Sequence, residues 1–130
     1  MAHVTRAGDA KSLGLPGRSS LEVVSGKTGA QGVTFRLVEI PVSRGEQEAR
    51  KPHFHDDFEE CIYLLSGSGT SNVDGVDHPL EPGDTILIAP GERHMTRNTG
   101  DEPLRLLCFF PTADITTGTH EPGAERSDAP

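Results

Sequence analysis

Nowhere among its 130 residues does the sequence carry a run of lysine or arginine, and its formal net charge is −8. Binding nucleic acid through counterion release needs clustered cations, so a nucleic-acid partner is excluded. No apolar stretch approaches the roughly 20 residues needed to span a bilayer. The N-terminus also lacks the basic-then-apolar layout of a secretion signal, so the expectation is a cytoplasmic protein that does not enter membranes. Cysteine is scarce. Cys61 and Cys108 both lie in apolar, strand-like runs, and in a cytosolic setting they read as buried free thiols rather than a disulfide. No segment sustains a helical period, and no internal repeat suggests a solenoid.

Hydrophobic residues, 33% of the chain, are concentrated between Val33 and Phe110. The length suits one domain, expected over residues 21–111. Residues 1–20 and 112–130 are rich in Gly, Pro, Ser, Thr, Asp and Glu. Such segments bury too little surface to offset their ordering entropy unaided. The first reads as flexible or crossing to a partner, the second as a polar tail.

Between them, short apolar runs alternate with turn chemistry. Gly32 to Val42 is rich in β-branched residues, and Ser43 to Lys51 reads as a loop. Glu60 to Leu65 (ECIYLL), Thr85 to Ala89 (TILIA) and Leu104 to Phe110 (LRLLCFF) read as strands. Asp74-Gly75 between two valines is a hairpin signal. About eight evenly spaced strands predict an all-β barrel or sandwich.

Three of the six histidines stand in two short segments. His53 and His55 are two apart, so on a strand both side chains leave one face. After an Asp56-Asp57 turn the next strand opens on Glu59-Glu60, of which only one can share that face. His94 follows the Pro90-Gly91 turn, with Thr96 and Asn98 on its own strand face. Three imidazoles and a carboxylate suit Fe, Mn, Ni, Zn or Cu as a single divalent ion. A structural zinc site would be closed and contain cysteine; none is in register here, so the expected site keeps open positions.

His53 to Gly67 (HFHDDFEECIYLLSG) resembles the first motif of the cupin superfamily: two histidines, a glutamate and a glycine. That family leaves six residues between its glutamate and glycine, which selects Glu60 over Glu59. Gly83 to Asn98 (GDTILIAPGERHMTRN) resembles the second motif and contributes His94. Ala89 stands where the family usually has proline, a departure that touches no ligand. The resemblance implies a small β-barrel, or double-stranded β-helix (jelly roll), with a mononuclear metal on His53, His55, Glu60 and His94. It implies a dioxygenase, lyase, isomerase or cyclase acting on a small organic molecule, or a non-catalytic binding or sensing cupin. Glu60 would be a ligand and, on detaching, a base.

Strand alternation adds a candidate pocket. With Glu60 inward, Ile62 and Leu64 follow it, as do Leu104, Leu106, Cys108 and Phe110; Phe54 and Phe58 are expected at the mouth. Asn98 is a further candidate, though an asparagine there more often ties a strand end. Arg36, turned inward, could pair with a substrate carboxylate, but Phe35 and Leu37 make the better core pair and would turn it outward. His3, His78 and His120 are expected to be solvent-exposed. Tyr63, Leu65, Leu107 and Phe109 would form an apolar outer face needing cover from a second sheet of the same chain or a partner subunit; a homodimer is expected, an arrangement the resemblance to small cupins also implies.

Overall fold

The computed structural model describes residues 2–15, 17–43 and 52–120. Of the expected 43–51 loop only Ser43 lies within them, and of the C-terminal segment only 112–120. Among the described residues eleven strands run in chain order: β1 (Lys11–Ser12), β2 (Ser19–Val24), β3 (Thr34–Ile40), β4 (Phe54–His55), β5 (Glu60–Ser66), β6 (Gly69–Val73), β7 (Val76–Leu80), β8 (Thr85–Ile88), β9 (His94–Asn98), β10 (Leu104–Phe110) and β11 (Thr119–His120). β1, β4 and β11 have two residues each, too short for a periodic signal in the sequence. No described helix is long and apolar enough to cross a membrane.

One sheet has the order β1-β2-β3-β10-β5-β8, with antiparallel pairing throughout. The facing layer is β7-β6-β9, extended by a bridge from His53 to His94 to the β11-β4 pair. The two layers form the all-β jelly roll. Asp74 and Gly75 both take positive φ, 48° and 87°, as a type I′ hairpin between β6 and β7 requires.

Side chains alternate as the pleat demands. From the large sheet, Val38, Ile40, Ile62, Leu64, Leu104, Leu106, Cys108, Phe110 and Ile88 form the buried core. From the small one the inward residues are mostly polar: Ser71, His94, Thr96 and Asn98 are all buried. The hydroxyls of Ser71 and Thr96 share a hydrogen bond of 2.5 Å, which satisfies both away from water. Leu64 and Leu104 of that core have no exposed surface. The opposite end, where β5 and β9 begin and β4 crosses, gathers the titratable groups.

β3 departs from the sequence expectation. Its inner residues are Thr34, Arg36, Val38 and Ile40, while Phe35 and Leu37 face outward, half-buried. Arg36 stands opposite Cys108 and bonds Glu22 of β2 at 3.0 Å. Glu22 also accepts from Ser25 Oγ at 2.8 Å. Burial opposes the charge of Glu22, but the bonds from Ser25 and Arg36 outweigh it and hold its pKa below the usual value. The pairing explains how an arginine replaces an apolar residue on the inner face.

Residues 112–120, expected as a polar tail, pack back on the barrel. Gly26 N–H donates to Ala113 O, Thr34 Oγ1 to Thr112 O and Asp56 N–H to Gly118 O. Ile115 is buried in the core. Cys61 and Cys108 are free thiols on opposite faces of neighbouring strands.

Candidate metal centre

Four side chains converge at the polar end of the barrel. One donor atom from each of His53, His55, Glu60 and His94 lies within 4.8 Å of all the others. β4 supplies His55, with His53 beside it on the same face; β5 begins on Glu60 and β9 on His94. The His53–His94 bridge, with two backbone hydrogen bonds of 2.8 and 3.0 Å, clamps the histidine segments together. Glu59 is exposed, whereas Glu60 is 4% exposed.

Glu60 Oε1 lies 2.9 Å from His94 Nε2 and 3.1 Å from His55 Nε2. Burial opposes ionisation of Glu60, but these two bonds outweigh it and hold the carboxyl well below its usual range. For His94 burial works against the charged form, and the bond to Glu60 reverses the sign, raising its pKa. His53 is pushed down to about 3, chiefly by burial and then by the charge of His94, so it offers a neutral nitrogen.

The donor set fits a divalent ion. Ligands held at about 2.0–2.2 Å draw opposite donors to within roughly 4.4 Å of each other, close to the spread present here. Nδ1 of His94 faces the carbonyl of Glu92 at 3.0 Å and must donate there. Its Nε2 lone pair is thereby aimed at a carboxylate oxygen, a confrontation that only a proton or a cation between them relieves.

The remaining candidates scatter. Phe58 stacks on His55 with ring centroids 4.8 Å apart, and Phe110 meets both edge-on. Phe54 is not at the mouth: it faces away from His53 and His55, stacked on His120 at 5.0 Å with the Arg93 guanidinium over its ring. Leu64 has no exposed surface and belongs to the core; Ile62, two residues from Glu60, is nearly as buried. Asn98 sits at the far end, where its amide donates to Ile40 O and Glu102 O and accepts from Gly100 N–H. It ties strand ends and does not meet the metal centre. Arg36 is inward, at the Cys108 level.

His3 and His78 are exposed, but His120, also expected in solvent, is 2% exposed and bonded to Asp56 Oδ2 at 2.6 Å. Its neighbour Thr119 places Oγ1 2.8 Å from His55 Nδ1. Neither residue could be found by alternation, because a two-residue strand has no period. Cys108 lies close enough to the centre to hydrogen-bond Glu60; burial first, then that carboxylate, push its thiol well above the usual value.

Comparison with known proteins gives the same picture. The cupin domain family matches residues 37–110, a segment containing all four converging residues. Protein SchB of Streptomyces halstedii is 36% identical over 76 residues, covering 58% of this chain and 54% of that protein. L-ectoine synthase of Mycolicibacterium gilvum is 40% identical over 77 residues, 52% of this chain and 57% of that protein. The chain thus spans little more than half the length of these relatives. Among solved structures, the polyketide cyclase RemF from Streptomyces resistomycificus superposes with a TM-score of 0.73 at 22% identity, over 96% of this chain and 88% of that one. With the family match, the jelly roll and the cluster of three histidines and a glutamate in agreement, this chain belongs to the cupin family.

Proposed function

We propose that the chain is a metal-dependent enzyme that rearranges a small oxygen-bearing organic molecule without consuming oxygen, in the manner of a lyase, isomerase or cyclase. The observation that carries this is the convergence of four donors on one point beside an aromatic wall. A bound divalent ion would supply Lewis-acid polarisation of a substrate carbonyl or hydroxyl. Glu60, held ionised by its histidines, is the group able to take up a proton from the polarised substrate once an oxygen swings free. Phe58 and Phe110 would shield that step from water. Among the described residues both lysines and the sole tyrosine are exposed, so neither type supplies a proton at the centre. The cyclase RemF, alike in fold, agrees with this direction.

Metal analysis of protein purified without chelators, with turnover assays on β-dicarbonyl compounds in aerobic and anaerobic buffer, tests it. Expected are retained or readily rebound metal and equal turnover with and without oxygen. Substrate-dependent oxygen uptake by an iron-loaded sample would replace the proposal with a dioxygenase. Ligand binding with no product would leave a non-catalytic cupin.

The large sheet's outer face supports a homodimer. Phe35, Phe109, Cys61 and Leu87 form one row across β3, β10, β5 and β8; Leu21, Leu37, Leu107 and Tyr63 form the next. Leu87 is 59% and Phe109 40% exposed, apolar surface that a second copy of the chain would cover. Phe109→Asp should halve the mass measured by light scattering while metal content stays; a monomeric parent protein would dispose of the idea. A cytoplasmic setting agrees with the two free thiols.

A further inference from the structure

We propose that Thr119, on the C-terminal strap 112–120, is the positioning residue that prepares His55 for metal, so that metal affinity depends on the strap being docked. This rests on the four-residue site proposed above. The argument follows protons. Thr119 Oγ1 lies 2.5 Å from the carbonyl oxygen of Ile115, to which it donates, because a carbonyl can only accept. Its single hydroxyl proton is thereby committed. Toward His55 Nδ1, 2.8 Å away, the same oxygen can only accept, so Nδ1 carries the hydrogen. The other nitrogen, Nε2, faces Glu60 and is thereby fixed as the one a metal takes, in exchange for its proton.

His94 reaches the same state through the Glu92 carbonyl, on its own loop. His55 differs in that its anchor comes from the far end of the chain. That anchor is held by Ile115 in the core, by the Asp56 N–H to Gly118 O bond and by the His120–Asp56 bond at 2.6 Å. Phe58 closes over the strap at Gly118, where a Cβ would come within 2.9 Å of its ring. Coupling is reciprocal: a docked strap raises metal affinity, and bound metal holds the strap down.

The test uses the full chain with Zn²⁺ and Co²⁺. Thr119→Val keeps the shape and removes the acceptor; Thr119→Ser keeps the hydroxyl. Metal affinity by chelator competition should fall about 10- to 100-fold in Thr119→Val, the usual effect of losing an outer partner of a ligating histidine, and return close to the parent value in Thr119→Ser. In metal-free protein, ring ¹⁵N shifts should show His55 protonated on Nδ1 in the parent and mixed in Thr119→Val. Zn²⁺ should also slow amide exchange across 115–120 in the parent. Equal metal affinity of parent and Thr119→Val, or an unchanged His55 proton position, would overturn the role of Thr119 alone. A parent that binds neither metal would instead remove the site proposal beneath it.

Discussion

His55→Ala combined with Glu60→Ala should lower the metal bound per chain by at least about 10-fold, since first-ligand losses exceed the 10–100-fold typical of outer partners. The pair is chosen for a physical reason. Glu60 is buried and ionised, and His55 and His94 both bond its Oε1. Removing His55 alone leaves that charge short of a partner, and breaking a buried pair in this way costs about 3–5 kcal/mol. Removing both takes away the charge with its donor, so the barrel has a better chance to stay folded and metal loss can be read as metal loss. Equilibrium dialysis followed by elemental analysis measures it, with circular dichroism as the check on folding. Undiminished binding in a folded double variant would mean the ion sits elsewhere.

The same site fixes a pH dependence. Metal must displace protons from its ligands. The pKa of His94 is raised by its bond to Glu60 against the opposing effect of burial, so protons compete for its Nε2 at a higher pH than for a free imidazole. Affinity should therefore be full above that raised pKa and fall as pH drops through it. His53, at about 3, stays neutral through this range.

Much of this site was legible in the sequence because its signals are short-range. Two-residue spacing puts His53 and His55 on one face, and alternation from Glu60 through Ile62 and Leu64 follows from strand geometry. Other positions depend on contacts that strand alternation alone does not carry. The alternation that joins His53 and His55 turns Phe54 away, so its place against His120 was implicit. Arg36 is less legible: β3 carries apolar residues on both faces, and a row of Phe35 and Leu37 reads as a core. Glu22, which makes an inward arginine tolerable, lies 14 residues earlier. His120 and Thr119 belong to a segment whose composition reads as tail; what orders it is one buried isoleucine and bonds across 64 residues of sequence.

Gly67→Ala should be among the most destabilising single changes in the chain, although it touches no ligand. Gly67 has φ +89°, and a Cβ there would stand 2.8 Å from Pro103 O and 3.0 Å from Leu104 Cα. Both neighbours are backbone, and Leu104 is fully buried, so neither can give way cheaply. Left-handed strain costs roughly 1–3 kcal/mol and overpacking roughly 1–3 kcal/mol more. Gly83→Ala is the control: its φ is +94°, but nothing lies within 4 Å of a Cβ, so it should show the strain alone. Thermal melts of metal-free protein should place Gly67→Ala about 10 °C or more below the parent, with Gly83→Ala between. Equal melts for the two variants would refute the crowding argument. The close approach at Gly67 lets β10 settle against the end of β5, whose register shifts there between Arg105 and Leu106. Seven positions earlier the same strand opens on Glu60. The glycine that stands at a fixed spacing from the ligand in the sequence is thus required by close packing at the other end of that ligand's strand.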